Sequence, residues 1–299
     1  MSAESNTSLR VVLFTDIHPM VVPMMHQLLP AHGHNLVGVV TGPGPKSRRT
    51  DTYVEIVRST PPDIDVIVTT HMKRLPDMLR SLDADLFWVM GFMRILPDDV
   101  INLPRLGTVN THSAVLPRYR GPNPFGWCFR DEAGEIGWTI HRMTSVLDAG
   151  PILAQASVTY DDDDDFESIT PRWLGALPGL LVEGLTRAAA GDPGDAQDES
   201  QASYAGFFEP EWRQIEWSRP SRAIHNQVRS WVGQRGVPRG AFGVIDGEQK
   251  LVVKTALMST GSSATASPGD VIEHDGDTLV VQCGDGPLRI LRWQANEAG

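Results

Sequence analysis

Apolar and polar residues alternate along the first half of the chain in blocks that predict strands separated by helices. Short apolar runs predict buried strands at 9–14, 35–41, 65–69, 85–90, 108–111, 138–142 and 152–158. Between them, 21–29 and 52–58 place apolar residues at helical spacing. Strands that alternate with helices predict βαβ units and an α/β domain with a Rossmann-like, mainly parallel sheet. Ligands of such folds bind beyond the carboxyl ends of the strands.

The pattern changes in the second half of the chain. Residues 166–190 predict a helix interrupted by Pro171 and Pro178, and 191–203 are polar and rich in turn-forming residues. One helix at 221–232 and short strands at 240–245, 251–255, 270–272, 278–282 and 288–293 then predict a small barrel. We therefore expect a first domain at 1–190, a linker at 191–203 and a small β domain at 204–299.

Composition narrows the setting in which the protein works. The chain has 299 residues, of which 41% are hydrophobic, enough to bury the cores of a large and a small domain. Cys128 and Cys283 stand in no metal-binding spacing, so we expect free thiols, a cytoplasmic location and no metal. Since no basic segment precedes an apolar core and no 18-residue apolar run occurs, we expect neither a signal peptide nor a membrane span.

Two acidic features bear on possible ligands. The run 161–165 is five aspartates without the spacing of a calcium loop, and we expect a solvated loop ahead of a helix. The formal net charge is −11, and acids and bases are balanced after residue 209. A surface that grips a nucleic-acid backbone usually concentrates Lys and Arg, so the charge pattern does not favour nucleic acid as a partner.

An amide, an imidazole and a carboxylate form the most informative group of the chain. Asn110 and His112 are two residues apart, so on a strand they point to the same face. Asp148 precedes Gly150 and Pro151, which mark a turn. An amide that donates, an imidazole that carries a proton and a carboxylate that orients it or takes a proton together suit acyl transfer.

These residues also resemble a known signature. The chain reads Asn-Thr-His from residue 110 and Leu-Pro-Arg-Tyr-Arg-Gly from residue 116, with Asp-Ala-Gly from residue 148. This is similar to the active-site pattern of the 10-formyltetrahydrofolate-dependent formyltransferases, roughly Asn-x-His-x-Ser-Leu-Leu-Pro-x-Tyr-Arg-Gly followed by Asp-x-Gly. The chain departs from it at 114–116, where Ala-Val-Leu replaces Ser-Leu-Leu. The departure touches supporting residues and leaves the amide, the imidazole and the carboxylate in place.

Two further segments carry the resemblance. Residues 91–96 (Gly-Phe-Met-Arg-Ile-Leu) are similar to the folate-pocket segment of glycinamide ribonucleotide formyltransferase. Residues 215–220, 224–229 and 283–288 look like parts of the C-terminal domain of methionyl-tRNA formyltransferases. The resemblance covers about 9–293 and implies that the small β domain is an open OB-like barrel.

The resemblance implies transfer of a formyl group from the co-substrate 10-formyltetrahydrofolate to an amino or hydroxylamino nitrogen, by direct attack through a tetrahedral intermediate. Asn110 is the expected donor to the oxygen that becomes negative. His112 stabilises that oxygen or moves a proton, and Asp148 holds His112, takes a proton, or does both. Because the acyl group passes directly to the acceptor, no covalent enzyme intermediate is expected.

Other candidate residues surround these three. The expected folate-binding residues are Met90, Gly91, Phe92, Met93, Arg94, Ile95, Leu96, His141 and Arg142. The expected acceptor-binding residues are Asp16, His18, Arg118, Tyr119, Arg120, Gly121 and Trp127. For each of these the alternative is an ordinary structural role in the core, a turn or an ion pair.

The acceptor is the open question. Glycinamide ribonucleotide is disfavoured, because Asp16 and Pro19 replace a loop of backbone N–H groups that would hold a phosphate. The segments 42–49 and 233–239 depart from the methionyl-tRNA enzymes, and the net charge is acidic. We therefore expect a small amine, such as an amino sugar nucleotide or a hydroxylated ornithine, as the acceptor, with tRNA as a less favoured partner. A methionyl-tRNA formyltransferase, a 10-formyltetrahydrofolate hydrolase and a non-catalytic folate-binding protein are the alternatives.

Overall fold

The computed structural model describes residues 8–44, 51–232, 238–258 and 266–295. It divides into two compact units that interleave in sequence. The first contains 1–120, 138–156 and 176–202, and the second contains 121–137, 157–175 and 203–299. The domain boundaries expected at 190 and 204 stay a prediction, because these units follow packing and not the order of the chain.

A seven-stranded sheet forms the centre of the α/β part. Its strands are β1 (Arg10–Phe14), β2 (Asn35–Thr41), β3 (Asp65–Val68), β4 (Leu86–Met90), β5 (Thr108–His112), β6 (Glu135–Arg142) and β7 (Ile152–Thr159). The order across the sheet is β3-β2-β1-β4-β5-β6-β7. The first five strands pair in parallel, and β6 pairs antiparallel to β5. The α/β class with a mainly parallel sheet is therefore confirmed.

Helices connect the first six strands, and two more follow β7. They are α1 (Val21–Ala31), α2 (Thr52–Ser59), α3 (Leu75–Leu79), α4 (Asp98–Ile101), α5 (Pro124–Arg130), α6 (Phe166–Gly175) and α7 (Leu177–Ala189). The helix predicted at 166–190 is two helices that break at Ala176, because Pro178 stands in the first turn of α7, where its missing N–H costs nothing. Short helices α3, α4 and α5 were not expected from the sequence, since each is too short for a clear period.

The order of the strands determines where polar residues collect. The chain runs from β1 outward to β3 and then returns to β4 beside β1, so the direction of winding reverses between β1 and β4. At such a reversal the loops after the two strands separate and leave a crevice. Asp16 follows β1 and Gly91 follows β4, and the Asp16 amide donates to the Gly91 carbonyl at 3.0 Å. The carboxyl end of β5 lies beside them in the sheet.

The C-terminal part is a second, antiparallel sheet with one helix. Helix α8 (Ser221–Ser230) precedes β8 (Ala241–Ile245), β9 (Glu248–Leu257), β10 (Val271–Asp275), β11 (Thr278–Gln282) and β12 (Pro287–Ala295). The strand order is β10-β11-β12-β9-β8. A core of its own, with Ile224 and Val228 of α8 packed among strand residues, holds this sheet together. The expectation of a separate small β domain is thus confirmed.

The aspartate run 161–165 is a loop ahead of α6, as the sequence predicts, with Asp161 and Asp163 exposed, but other carboxylates of the run are paired within the protein. Asp162 accepts two bonds from the Arg222 guanidinium at 2.7 and 2.8 Å, and Asp165 pairs with Lys254 at 3.2 Å. Buried Arg229 donates to the carbonyls of Asp161 and Asp164 at 2.8 and 3.0 Å. Distant Arg222 and Lys254 pair with two of the carboxylates, and nearby Arg172 pairs with that of Asp164. The run is therefore joined to α8 and β9 within the second unit.

Within the parts of the chain that the structure describes, no helix is both long and apolar enough to cross a membrane.

Buried His225 on α8 provides a test of how the run 161–165 packs against α8 and β9. It is 1% exposed, and its Nδ1 and Nε2 lie 2.8 Å from Thr255 Oγ1 and 2.9 Å from the Asp162 carbonyl. Burial and the Arg229 charge lower the pKa of His225 from 6.5 to about 4, against a smaller raising effect of Asp162. Between pH 6.5 and pH 4 the unfolded chain therefore binds a proton at this residue, whereas the native protein does not. The free energy of unfolding thus falls as the pH falls from 6.5 toward 4.

We expect the free energy of unfolding, measured by urea titration, to fall between pH 7 and pH 5 by about 2 kcal/mol more in the wild type than in His225→Gln. The effect of His112, whose pKa is also lowered, is common to both proteins and cancels. Equal losses in the two proteins would contradict the neutral, buried state of His225.

Candidate functional site

The pairing of β5 with β6 builds the centre of the site. In this antiparallel pair Asn110 lies opposite His141, and His112 lies opposite Thr139. Asn110 Nδ2 is 3.2 Å from His141 Nε2 and 3.4 Å from Asp148 Oδ1. His112 Nδ1 is 3.6 Å from Asp148 Oδ2, and His141 Nε2 is 3.5 Å from Asp148 Oδ1. The structure therefore brings the three expected catalytic residues together and adds His141 to them.

Backbone carbonyls decide where the hydrogens of the two imidazoles lie. His112 Nε2 is 3.0 Å from the Tyr119 carbonyl, and His141 Nδ1 is 2.9 Å from the Arg142 carbonyl. A carbonyl only accepts, so each of these nitrogens carries hydrogen. In the neutral His112 ring the other nitrogen, Nδ1, carries a lone pair. His141 Nε2 lies 3.2 Å from the donor Asn110 Nδ2 and therefore accepts from it. Both nitrogens face the Asp148 carboxylate. This arrangement attracts a proton or an N–H group into the space between them.

Burial affects the pKa of the His112 imidazole. Its side chain is 9% exposed and that of Asp148 is 8% exposed. Burial lowers the pKa of His112 below 6.5, and the Asp148 charge and the bond to the Tyr119 carbonyl oppose this effect in part. His112 is thus neutral at physiological pH and available to accept a proton.

A strained turn presents the Asp148 carboxylate. Asp148 has φ +51°, in the left-handed region that residues with a side chain rarely adopt. Two residues on, a Cβ on Gly150 would lie 1.8 Å from the Arg142 carbonyl oxygen, so that position accepts no side chain. The Arg142 amide donates to the Pro151 carbonyl at 2.9 Å and closes the loop.

The expected folate segment follows β4 and is anchored from β1. Gly91 turns with φ +67°, and the Met93 amide donates to the Asp16 carboxylate at 3.2 Å. Phe92 and Leu96 pack in the core, whereas the Ile95 side chain is 82% exposed. Arg94 donates to the Gly44 carbonyl. Asp16, expected on the acceptor side, therefore shapes the 91–96 turn, and its role toward an acceptor stays a prediction.

His18 lies beside the same turn. A Cβ on Gly91 would lie 3.2 Å from its imidazole Cδ2, so His18 crowds the first residue of the segment. Its exposed position leaves a ligand-binding role as a prediction.

The basic loop 118–121 makes several contacts within the protein. Arg118 donates to the Tyr119 hydroxyl at 2.8 Å and lies over its ring, while the Tyr119 carbonyl fixes His112. The Arg120 guanidinium bonds to Gln197 and Glu199. At Gly121 (φ +108°) a Cβ would lie 2.6 Å from the Tyr204 ring. These contacts are within the protein, and an acceptor-binding role for the four residues stays a prediction.

Two more candidates have structural partners. Arg142 donates to the carbonyls of Leu106 at 2.8 Å and Asp192 at 2.6 Å, so its guanidinium ties loops together. Trp127 belongs to the second unit, where its Nε1 donates to the Gly206 carbonyl at 2.7 Å and Arg130 stacks 4.2 Å from its ring centre. Folate binding by Arg142 and acceptor binding by Trp127 stay predictions.

The sequence pattern does not by itself indicate two features of the site. The first is the position of His141 opposite Asn110, which the antiparallel register of β5 and β6 would have indicated. The second is Gln197, which donates to the carbonyls of Asp148 and Gly150 from within the expected linker. No local pattern marks Gln197, since its partners are 47 and 49 residues away.

Metal ligands do not gather in the part of the chain that the structure describes: no group of three or more His, Cys, Asp or Glu residues could hold an ion there.

Comparison with known proteins gives two family matches and several long relatives. The formyl transferase model matches residues 28–185, and the model of the formyl transferase C-terminal domain matches 208–298. A methionyl-tRNA formyltransferase of Citrifermentans bemidjiense is 33% identical over 301 residues, which are 96% of this chain and 89% of the relative. The methionyl-tRNA formyltransferase of Pelobacter propionicus is 32% identical over 294 residues, again 96% and 89%.

Solved structures share the fold. An N-formyltransferase of Helicobacter canadensis, in complex with folinic acid and dTDP-3-aminofucose, superimposes with a TM-score of 0.67 at 17% identity and covers 95% of this chain and 98% of its own. At that identity the likeness concerns the fold alone. The two family matches and the length of the sequence relatives show that this chain belongs to the formyl transferase family, as an N-formyltransferase that uses 10-formyltetrahydrofolate.

Proposed function

We propose that the protein is a methionyl-tRNA formyltransferase, which moves the formyl group of 10-formyltetrahydrofolate to the amino nitrogen of methionyl-tRNA. The observation that carries this proposal is the match to methionyl-tRNA formyltransferases at 32–33% identity over 96% of the chain. The match includes the C-terminal part, where acceptor-specific contacts can be made away from the chemistry. The family match and the intact group at Asn110, His112 and Asp148 disfavour a non-catalytic folate-binding protein.

This corrects the expectation of a small amine as the acceptor. That expectation was wrong because it took the net charge of −11 as evidence against a nucleic-acid partner. Net charge sums the whole surface, whereas a phosphate backbone responds to local charge. Much of the acid is also neutralised internally, as at 161–165. The other evidence came from 42–49 and 233–239, and most of those residues (45–49 and 233–237) lie outside the described residues.

The residues around the site fit a folate ligand. Residues 91–96 place the exposed Ile95 after a turn that Asp16 anchors. Val146 and Leu147, next to Asp148, are 61% and 46% exposed. Apolar side chains held open beside a buried polar group suit a flat aromatic ligand with a polar reacting end. Bound there, 10-formyltetrahydrofolate supplies the formyl carbon.

Asn110 is assigned the stabilisation of negative charge. Its Nδ2 faces two acceptors at 3.2 and 3.4 Å, both long for hydrogen bonds. An N–H held this loosely can turn to an oxygen that gains charge as the acceptor nitrogen attacks, and its stabilising effect is largest when that charge is greatest. His141 orients this amide, because its lone-pair nitrogen attracts Nδ2 and not the amide oxygen.

His112 and Asp148 are assigned the proton. The acceptor nitrogen must lose a proton as its bond to the formyl carbon forms. His112 Nδ1 carries a lone pair toward the site and accepts that proton, and Asp148 stabilises the imidazolium at 3.6 Å. The same nitrogen then returns the proton to the departing amine, so the enzyme ends the cycle in its starting state.

We also propose that the protein works in the cytoplasm, where methionyl-tRNA is found. Its buried free thiols at Cys128 and Cys283 suit a reducing compartment.

The acceptor is tested directly. Purified protein, 10-formyltetrahydrofolate and charged initiator methionyl-tRNA should give formylmethionyl-tRNA and tetrahydrofolate in equal amounts. Uncharged tRNA and free methionine serve as controls, because each lacks one part of the acceptor. Tetrahydrofolate release that is independent of methionyl-tRNA would indicate a hydrolase and contradict the proposal.

Asn110→Ala should lower kcat about 100- to 1000-fold, the usual effect of removing one donor to a developing oxyanion, with little change in affinity for the folate. Stopped-flow turnover and folate titration measure the two effects. Asn102→Ala is the control and should keep wild-type kcat, because Asn102 is an exposed asparagine that directly follows α4 and its Nδ2 donates to the Asp98 carbonyl. If kcat falls only tenfold or less in Asn110→Ala, the assignment of Asn110 as the donor to the oxyanion is contradicted.

The pH dependence of kcat tests the proton assignment. Because burial holds the pKa of His112 below 6.5, kcat should be constant near neutrality and fall only in acid, as the imidazole becomes protonated. Asp148→Asn removes the charge that raises this pKa, so the acid limb should move to lower pH while the maximal rate drops about 100-fold or more. An acid limb that stays in place in Asp148→Asn would show that His112 is not the group that titrates.

A further inference from the structure

The segment 192–199 runs beside the turn that carries Asp148. Asp195 and Ile152 exchange two backbone hydrogen bonds, at 2.7 and 2.8 Å, in the manner of an extra strand. Arg187 fixes the start of the segment through Asp192 at 2.6 Å and Asp195 at 2.8 Å, and it also donates to the Leu153 carbonyl. A stretch whose composition predicts a flexible linker is therefore attached to β7 and to α7.

Gln197 extends from this segment to the Asp148 turn. Its Nε2 donates to the Asp148 carbonyl at 2.8 Å and to the Gly150 carbonyl at 2.7 Å. Its Oε1 accepts from Arg120 Nη2 at 2.7 Å and from Nε at 3.2 Å. The guanidinium only donates and the carbonyls only accept, so the chemistry of the partners fixes which way the amide points. All four hydrogen-bonding positions of the side chain are used.

Arg120 is held in turn from the other side. Its side chain is 11% exposed, and its guanidinium makes a two-bond pair with Glu199 at 2.7 and 3.0 Å. Because Arg120 cannot lose its charge, it keeps Gln197 Oε1 in place at any pH. The chain Glu199–Arg120–Gln197 therefore delivers two N–H groups to the carbonyls on either side of Ala149.

These two carbonyls belong to a turn that would not hold this shape alone. Asp148 is in the left-handed region at φ +51°, and the residues before it, Val146 and Leu147, are exposed. A strained backbone persists only where its surroundings impose it. Bonds to the carbonyls of Asp148 and Gly150 fix the peptide planes that set the direction of the Asp148 side chain.

We propose that Gln197 is a positioning residue for the reaction: by holding the Asp148 and Gly150 carbonyls, it keeps the Asp148 carboxylate beside His112 and Asn110. The inference rests on the proposed function only for the role of Asp148. It predicts that loss of the Gln197 amide impairs the chemical step and the His112–Asp148 pair, and leaves folate binding intact.

Two substitutions separate positioning from general stability. Gln197→Ala removes all four bonds. Gln197→Glu keeps the size and the pairing with Arg120, but its carboxylate cannot donate to the two carbonyls and repels them. Gln201→Ala is the matched control, because Gln201 lies just after this segment and its amide donates to Asp198 instead.

The first measurement uses the protein alone. Histidine-selective NMR titration, with the His112 signal assigned from a His112→Gln sample, follows the His112 imidazole, which faces Asp148 and His141. If the carboxylate is released, His112 loses a charge that raises its pKa, so it should titrate at lower pH in Gln197→Ala and Gln197→Glu and be unchanged in Gln201→Ala. An unshifted His112 in both Gln197 variants would overturn the inference.

The second measurement is turnover with methionyl-tRNA. We expect kcat to fall about 10- to 100-fold in both Gln197 variants, the scale of a misplaced catalytic group, with the affinity for 5-formyltetrahydrofolate unchanged. In an Asp148→Asn background, Gln197→Glu should cost no more than about twofold, because the group it positions is gone. Full additivity of the two losses would overturn the inference.

The proposed acceptor and the positioning role of Gln197 can each be contradicted without the other. If the wild-type protein does not formylate methionyl-tRNA, the proposed acceptor is wrong, while the NMR titration still reports whether Gln197 holds Asp148. If the protein formylates methionyl-tRNA and the Gln197 variants match the wild type in rate and in the His112 titration, the positioning role is wrong and the proposed function stands.

Discussion

The Asp148 carboxylate between two imidazole lone pairs is the interaction on which the rest of the site depends. His112 and His141 each commit one nitrogen to a backbone carbonyl, so each turns an unprotonated nitrogen toward the same buried carboxylate. Two lone pairs and a negative charge in a space shielded from water repel one another unless an N–H group or a proton lies between them. Asn110 supplies an N–H in the resting protein. In the proposed reaction the acceptor amine supplies a proton to this space, so the electrostatic demand that orients Asn110 also favours deprotonation of the acceptor.

The topology of the sheet creates this arrangement. A reversal of winding between β1 and β4 opens a crevice where 91–96 turn, anchored by Asp16. One strand further along, β6 pairs antiparallel to β5, which sets His141 opposite Asn110 and sends the chain directly into the Asp148 turn. If β6 were parallel to β5, a long crossover would separate the two strands, and His141 would not be placed opposite Asn110 by this register. The antiparallel pairing of β6 with β5 is therefore what joins the three groups.

Sequence periodicity was sufficient for those parts of the fold and site that depend on local order. The strand runs and the same-face spacing of Asn110 and His112 follow from alternation, and the structure agrees on both. Contacts between distant segments were not predictable in this way. Asp16 was expected to face an acceptor, yet its carboxylate holds Met93, which is 77 residues away. The aspartates at 161–165 read as solvated because their cationic partners on α8 and β9 are about sixty or more residues further on. In both cases the role of a polar side chain depends on a partner that is distant in the sequence, and composition does not identify that partner.

The acceptor illustrates a further separation between chemistry and specificity. A fold at 17% identity serves an N-formyltransferase crystallised with dTDP-3-aminofucose, while relatives at 33% identity are methionyl-tRNA formyltransferases. In the proposed mechanism an amide, an imidazole and a carboxylate act on a formyl carbon and a nitrogen, and these atoms are the same whether the acceptor is an amino sugar or an aminoacyl ester. Discrimination between acceptors must come from surfaces that do not take part in the chemistry. Resemblance in the short motifs around Asp148 therefore carries little information about the acceptor, whereas identity sustained through the C-terminal part, where such surfaces can vary freely, carries more. For this chain the second kind of evidence favours methionyl-tRNA.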